Sequence, residues 1–141
     1  MKIFITGAGG FIGGSIAAHL VRAGHQVRGL IRKPEHRDEL KRLGIEPVIG
    51  TLDDRALLIA EAQAADAVIN AASSDHEGAV SALIEGLSGS GKPFLHTSGS
   101  SIVGDASGGE AAEARIYHED ALPEPTADKA ARVAIDRRVL E

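Results

Sequence analysis

The chain has 141 residues, of which 43% are hydrophobic and 25% charged, and this is the size and composition of one globular domain. Its formal net charge of −5 argues against a nucleic-acid partner, and the absence of cysteine excludes disulfides, Fe–S clusters and thiolate metal sites. No two of the six histidines have metal-ligand spacing on a helix, so no metal site is predicted.

An uncharged stretch from Ile3 to Val21 superficially resembles a secretory signal. The glycines within it interrupt any continuous apolar segment, which disfavours both a signal peptide and a membrane helix. We therefore expect a folded cytoplasmic protein without membrane contact.

Strand and helix patterns alternate along the whole chain. Strands are predicted at Lys2–Thr6, Gln26–Ile31, Pro47–Ile49, Asp66–Asn70 and Pro93–Thr97. A first helix with apolar Ile12, Ile16 and Leu20 ends near Gly24, and further helices are predicted at Glu35–Leu43, Asp53–Ala64, Glu77–Leu87 and Ala127–Leu140. Such alternation predicts an α/β fold, a doubly wound parallel sheet of about five strands with helices on both faces. We expect a single domain over residues 1–141, with an irregular segment from Ser98 to Pro125.

The first strand is followed by a glycine-rich turn, in which residues 6–13 read Thr-Gly-Ala-Gly-Gly-Phe-Ile-Gly. Gly7 permits the tight turn, Gly10 lets the backbone approach a pyrophosphate, and Gly13 lets the helix pack closely on the sheet. Free N–H groups at the helix start would face the anion. Because the triplet lies between a strand and an amphipathic helix, it predicts a dinucleotide site.

Two alternatives to this interpretation are a purely structural glycine turn and a P-loop. Gly9 and Gly14 have the P-loop separation, but Ser15 stands where the phosphate-binding lysine is required. Nucleoside triphosphate hydrolysis is therefore excluded.

Four motifs in order along the chain resemble the short-chain dehydrogenase/reductase superfamily, in its extended or atypical NAD(P)-dependent epimerase/dehydratase branch. They are the glycine turn, Val-Ile-Gly-Thr-Leu-Asp-Asp at 48–54, Val-Ile-Asn-Ala-Ala at 68–72, and Leu-His-Thr-Ser-Gly-Ser-Ser-Ile-Val-Gly-Asp at 95–105. The resemblance implies an NAD(P)-binding Rossmann fold. It also implies cofactor contacts from Gly7, Gly10, Phe11, Ile12, Gly13, Thr51, Leu52, Ala71 and Ala72. Thr51 replaces the family's aspartate beside the adenine, so that contact is weakened or replaced.

The end of the second predicted strand indicates which cofactor is bound. An NAD site places an acid there for the ribose hydroxyls, whereas NADP requires a cation for the 2′-phosphate. Ile31 occupies the acid's place and is followed by Arg32 and Lys33, which predicts NADP rather than NAD. The alternative is two solvated basic residues in a surface loop.

The catalytic part of the resemblance is incomplete. Family dehydrogenases use a Tyr-x-x-x-Lys pair, in which the lysine lowers the pKa of the phenol. Here Tyr117 is followed by Ala121, and Lys129 is preceded by Pro125 at the same spacing. The pair is therefore absent.

A hydroxyl candidate remains next to the family's serine position, which falls on Gly99. Ser98 is the candidate catalytic hydroxyl, with capping of a strand end as the alternative. We expect His96 to be a packed or bridging histidine, and residues 118–120 to form a solvated acidic turn.

The resemblance implies further strands and a small C-terminal substrate domain after the last predicted helix, whereas the sequence ends at Glu141. We therefore expect the NADP(H)-binding half of an epimerase/dehydratase-like oxidoreductase, inactive by itself and acting on an unknown small molecule. A non-catalytic NADP(H)-sensing or partner-binding regulator is the alternative, and a structural subunit with an empty cleft is a third.

Two helices suggest self-association. Ala79, Val80, Leu83, Ile84 and Leu87 form an apolar stripe wider than one sheet contact needs. Together with an uncovered sheet edge, this predicts a homodimer through Glu77–Leu87 and Ala127–Leu140, or a swapped arrangement in which the terminal helix covers a neighbour's edge.

Overall fold

The structure is a computed structural model that describes residues 1–104, 116–121 and 123–141. Within them, five parallel strands form one sheet in the order β3-β2-β1-β4-β5. The strands are β1 (Lys2–Thr6), β2 (Gln26–Ile31), β3 (Glu46–Ile49), β4 (Ala67–Asn70) and β5 (Phe94–His96). The predicted parallel α/β sheet is confirmed.

Helices connect the strands and continue the chain after β5. They are α1 (Phe11–Arg22), α2 (Arg37–Arg42), α3 (Arg55–Ala64), α4 (Glu77–Leu87) and α5 (Ala130–Leu140). Short 3₁₀ turns at Pro34–His36 and Ser100–Val103 precede α2 and follow β5. Gly24, predicted to end the first helix, has a φ of +86°, the left-handed conformation typical of a residue just after a helix.

Alternating residues of the strands point into two separate cores. Ile3 and Ile5 pack on one face with Ala17 of α1 and Leu40 of α2. Phe4 packs on the opposite face, in a core that includes side chains of α3 and α4. Both strand faces are therefore buried, which is why the strand segments are apolar almost throughout.

Side-chain hydrogen bonds explain two helices that begin later than predicted. The Asp54 carboxylate accepts hydrogen bonds from the Thr51 amide, at 2.6 Å, and from its hydroxyl, at 3.2 Å, so residues 51–54 form a loop before α3. The Thr126 hydroxyl donates to Asp128 at 2.7 Å, and residues 126–129 form turns before α5. Such local bonds compete with helix formation.

The apolar stripe of α4 is buried within the chain itself, which corrects our argument that it was free for a partner. Four of its five residues, Ala79, Val80, Leu83 and Leu87, are buried, and Ile84 is partly buried. The stripe is wide because α4 packs on both the sheet and α3: a methyl group added at Gly86 would lie 2.7 Å from Cβ of Ala62. Its width therefore gives no support for dimerisation.

The order of the strands creates a crevice at the carboxyl ends of β1 and β4. The chain passes from β1 to β2 on one side of the sheet, and later returns to place β4 on the other side of β1. Ligands of open α/β sheets bind at such a switch point.

Candidate functional site

A cavity of about 600 Å³ opens at this crevice. Its lining includes eight of the residues predicted to bind a cofactor, namely Gly7, Gly10, Arg32, Lys33, Thr51, Leu52, Ala71 and Ala72. Residues distant in sequence therefore meet around one space of the size that a dinucleotide requires.

The glycine turn after β1 is shaped by two close backbone approaches. Gly7 has a φ of +72°, and a Cβ there would lie 2.7 Å from the carbonyl oxygen of Ala71. A Cβ at Gly13 would lie 2.3 Å from the carbonyl oxygen of Gly7. These two glycines are therefore required by the fold around the cavity.

Gly10 differs from the other two glycines because space is open beside it. Among the described residues, a Cβ at Gly10 would meet only the Gly7 carbonyl oxygen, at 3.3 Å. Gly10 also precedes α1 and has no side chain to cap the helix, so backbone N–H groups of the first turn are available to a ligand. An open cradle at a helix N-terminus fits a pyrophosphate.

Three predicted cofactor residues lie outside the described lining of the cavity. Phe11 and Ile12, in the first turn of α1, are 90% and 52% exposed. Gly13 lies behind them, against the glycine turn. Contacts from Phe11 and Ile12 to a cofactor remain a prediction.

A basic rim formed by Arg32, Lys33 and His36 closes the β2 end of the cavity. Ile31 is buried at the end of β2, so no carboxylate stands in the position that ribose hydroxyls would use. His36 was missed by the sequence analysis. Pro34, two positions earlier, starts the turn that brings His36 back to the rim, and this was the available signal.

A histidine and an aspartate connect two loops of the cavity wall. Nδ1 of His76 accepts a hydrogen bond from the amide of Ala79, which leaves the proton on Nε2. That nitrogen lies 3.1 Å from Oδ1 of Asp53. The pair fixes the loop after β3 relative to the loop after β4, and spacing along the sequence gives no indication of it.

Ser98, the candidate hydroxyl, lies after β5 and is not among the described lining residues. Its Oγ donates to Oδ2 of Asp136 in α5, at 2.6 Å. The other oxygen, Oδ1, lies 3.6 Å from Nε2 of His96, and both of these atoms are buried without a hydrogen-bond partner. Sequence analysis missed Asp136.

His96 is fixed from its other side by Asn70, the last residue of β4. Nδ2 of Asn70 donates to Nδ1 of His96 at 3.0 Å, and Oδ1 of Asn70 accepts from the Thr6 hydroxyl at 2.5 Å. Burial lowers the pKa of His96, and the Asp136 carboxylate opposes this only in part. His96 is therefore a bridging residue, as expected, and it is neutral near pH 7.

A second contact ties α5 to the carboxyl end of the sheet. Nε and Nη2 of Arg132 donate to the two carboxylate oxygens of Asp75, at 2.7 and 2.5 Å, and Nη1 donates to Ser101 at 2.9 Å. The Arg132 hydrogen bonds lower the pKa of Asp75. Arg132 also fills the space beside Gly99, where an added Cβ would lie 2.6 Å from Nη1.

Residues 1–104, 116–121 and 123–141 contain no group of three or more His, Asp or Glu placed to hold a metal ion. They also contain no helix long and apolar enough to cross a bilayer.

Comparison with known proteins supplies a family. The sequence model of the NAD(P)H-binding family matches residues 7–132. An Acremonium protein named oxidase ucsJ is 41% identical over 110 residues, a match that covers 72% of this chain and 32% of the relative. A Stigmatella aurantiaca protein named 4-hydroxy-2-methyl-3-oxo-4-farnesyl-3,4-dihydroquinoline-1-oxide ketoreductase is 35% identical over 72 residues, or 51% of this chain and 22% of the relative.

Solved structures agree in fold. UDP-glucose 4-epimerase from Bifidobacterium longum, in complex with NAD+ and UDP, superposes with a TM-score of 0.76 at 15% identity, covering 99% of this chain and 48% of the epimerase. The first curated relatives are matched over only 24% to 38% of their own length. The chain therefore spans less than half the length of each of these proteins.

Proposed function

Because the chain belongs to the NAD(P)H-binding family of the short-chain dehydrogenase/reductase superfamily, we propose that it binds NADP(H) in preference to NAD(H). The pyrophosphate would lie on the glycine turn at Gly10, and the adenine beside Thr51 and Leu52. Ala71 and Ala72 would border the nicotinamide half. The bound dinucleotide would supply or accept a hydride.

The basic rim carries this proposal. Arg32 and Lys33 bring two cationic donors to one end of the cavity, next to the apolar Ile31, and His36 lies beside them with its Nδ1 3.4 Å from the Glu39 carboxylate. A 2′-phosphate would satisfy these donors, whereas an unphosphorylated ribose would find no carboxylate among the described residues of this rim.

A direct titration tests the cofactor preference. Since a hydrogen bond to a charged group contributes about 1.5–3 kcal/mol, we expect NADPH to bind about ten- to hundredfold more tightly than NADH. Arg32→Ala should remove most of the difference by weakening NADPH alone. Lys41→Ala, an exposed basic residue of α2 outside the cavity lining, is the matched control. Equal dissociation constants for the two cofactors in the wild-type chain would contradict the proposal.

For the whole protein we propose an epimerase/dehydratase-like oxidoreductase that reduces a carbonyl group or oxidises the corresponding alcohol. The names of the relatives, an oxidase and a ketoreductase, support this class. Ser98 is the proposed catalytic hydroxyl. Since the chain spans about half of the epimerase, we expect these 141 residues to bind the dinucleotide but not to turn over a substrate alone.

A second candidate is a non-catalytic NADP(H) sensor that signals through a partner. The missing Tyr-x-x-x-Lys pair favours it, because alanine stands four residues after Tyr117 and proline four residues before Lys129. A whole protein that binds NADPH tightly but consumes none with any carbonyl substrate would support the sensor.

We further propose a cytoplasmic protein that forms a homodimer and binds neither nucleic acid nor membrane. The half-exposed Leu95 in the edge strand β5 supports association, since an open edge can pair with another chain. Sedimentation equilibrium at tens of micromolar tests this, and a monomer would contradict it.

A further inference from the structure

A chain of polar side chains runs beneath the carboxyl end of the sheet, from β1 through β4 and β5 to α5. It joins Thr6, Asn70, His96, Asp136 and Ser98. Of these residues, only Ser98 has a role in the proposed oxidoreductase, as its catalytic hydroxyl. The two buried atoms between His96 and Asp136 have no other partner.

The direction of each hydrogen bond in this chain follows from one backbone group. The Ala71 amide can only donate, and it donates to the Thr6 hydroxyl at 3.2 Å. Thr6 must therefore donate onward to Oδ1 of Asn70. This orients the Asn70 amide so that Nδ2 faces Nδ1 of His96, and the second proton of Nδ2 meets the carbonyl oxygen of Ser73 at 3.2 Å.

This order of donors and acceptors determines the tautomer of His96 and the atom of that ring that faces Asp136. Because Nδ1 of His96 accepts, the single proton of the neutral ring is on Nε2, which faces Asp136. Oδ2 of Asp136 accepts from Ser98 at 2.6 Å. The Asp136 side chain is 18% exposed, so a proton taken up by its carboxylate can return to water.

The same order determines what Ser98 can offer to a ligand. A serine hydroxyl has one proton, and Asp136 holds it, so only the lone pairs of Oγ are directed elsewhere. Asn70 is paired with His96 in the sheet register, which puts Ala72 and Ser98 at equivalent positions beyond the two strand ends. The loop that carries Ser98 therefore runs next to the loop that carries Ala72, a residue of the cavity lining, and Oγ of Ser98 can act there only as an acceptor.

From this arrangement, and resting on the proposed function, we propose that Asp136, positioned by His96, makes Ser98 the acceptor for a ligand hydroxyl group and takes up the proton released on oxidation. The ligand O–H bond breaks as its proton passes to Oγ of Ser98, and the O–H bond of Ser98 breaks as that proton passes to Oδ2 of Asp136. The hydride that leaves the carbinol carbon, with its two electrons, would be accepted by the oxidised dinucleotide of the proposed function. Carbonyl reduction is the reverse and requires protonated Asp136. Ser98 and Asp136 would thus replace the absent Tyr-x-x-x-Lys pair.

The test uses the 15N-labelled chain and two probes of similar shape, cyclohexanol and cyclohexanone. Only the alcohol can donate a hydrogen bond, so we expect it to shift the amide resonances near Ser98 with a dissociation constant about fivefold lower than the ketone. Asp136→Ala frees the Ser98 proton and should abolish or reverse this preference. Ser98→Ala leaves the contact between Arg132 and Asp75 intact and should remove the preference even if Asp136→Ala fails to fold.

Asp128→Ala is the matched control, because Asp128 is an acidic residue in the turn before the same helix and contacts Thr126 and Lys129 instead. Imidazole 15N shifts should show a neutral His96 with its proton on Nε2 at pH 7. The proposal is overturned by equal binding of both probes, by binding of neither probe up to its solubility limit, or by the opposite tautomer. NADP+ binding is titrated separately, so loss of that binding rejects the proposed function without changing the probe result.

Discussion

The glycine turn permits a prediction that separates folding from cofactor binding. Gly13→Ala adds a methyl group 2.3 Å from the Gly7 carbonyl oxygen, about 1 Å closer than a normal contact. The obstacle is backbone and cannot rotate away. Gly10→Val adds its side chain where, among the described residues, only one atom lies within 4 Å of Cβ. The first substitution should therefore damage the fold and the second only the site.

The expected sizes of the two effects differ clearly. Overpacking costs about 1–3 kcal/mol, and a contact this close should cost the upper end of that range. A helical Gly→Ala change returns about 1 kcal/mol, so the free energy of unfolding of Gly13→Ala should be about 2 kcal/mol lower than that of the wild type. This corresponds to a decrease in Tm of about 8 °C for a domain of this size. Gly10→Val should cost about 1 kcal/mol or less through weaker capping. It should weaken NADPH binding about ten- to hundredfold, because the pyrophosphate loses at least one charge-assisted N–H contact.

Thermal unfolding followed by circular dichroism, with and without NADPH, measures both effects. Gly78→Ala is the control, since its nearest neighbour is a His76 ring atom at 3.6 Å and the helix α4 should gain stability. Wild-type affinity in Gly10→Val would mean that the nucleotide lies elsewhere. A Gly13→Ala variant as stable as the wild type would refute the assignment of the clash to the fold.

Three further outcomes follow from charges outside the cavity. Burial lowers the pKa of His96 from its ordinary 6.5, so below that pH the unfolded chain binds a proton that the folded chain does not. The free energy of unfolding from urea titrations should therefore decrease as the pH is lowered from 7.5 to 5.5, and it should decrease less in His96→Gln. Hydrogen bonds from Arg132 lower the pKa of Asp75 from 3.8, so this contact stabilises above about pH 4 and is lost in acid. Asp75→Asn should accelerate amide exchange in α5 at pH 7, and a rate equal to the wild type would contradict this. Glu61 is 11% exposed and accepts two bonds of 2.7 Å from Arg28, so Arg28→Met should cost about 1–3 kcal/mol in urea unfolding and the double variant with Glu61→Met should recover part of it.

The strands and the fold class were predictable because burial of both sheet faces leaves a simple pattern. β1 and β2 have the bounds predicted for them, as does α4. The predicted helix starts were less accurate. Aspartate is common in the first turn of a helix, but the side chains of Asp54 and Asp128 form hydrogen bonds within the turns that precede α3 and α5. Whether an acidic residue begins a helix or ends a loop depends on these bonds.

The nucleotide end of the site was predictable because its residues lie next to strand ends. Parallel strands bring their carboxyl ends together, so the positions of Gly10 and Arg32 follow from the strand predictions alone. Asp136 was not predictable in this way. It meets Ser98 across 38 residues, on a helix whose rotation about its axis no periodicity of the sequence indicated.

The central position of β1 has a consequence for the order in which the chain gains its binding capacity. During synthesis β1 emerges before β2, β3 and β4, yet Ile3 pairs with Ala67, and the turn at Gly7 rests on Ala71. Until the ribosome has released the chain beyond Ala71, the glycine turn lacks the wall against which it closes. The most recognisable nucleotide motif of the chain is therefore made early and becomes functional late, and a nascent chain halted before β4 should expose the edge of β1 that β4 later covers, for chaperones to bind.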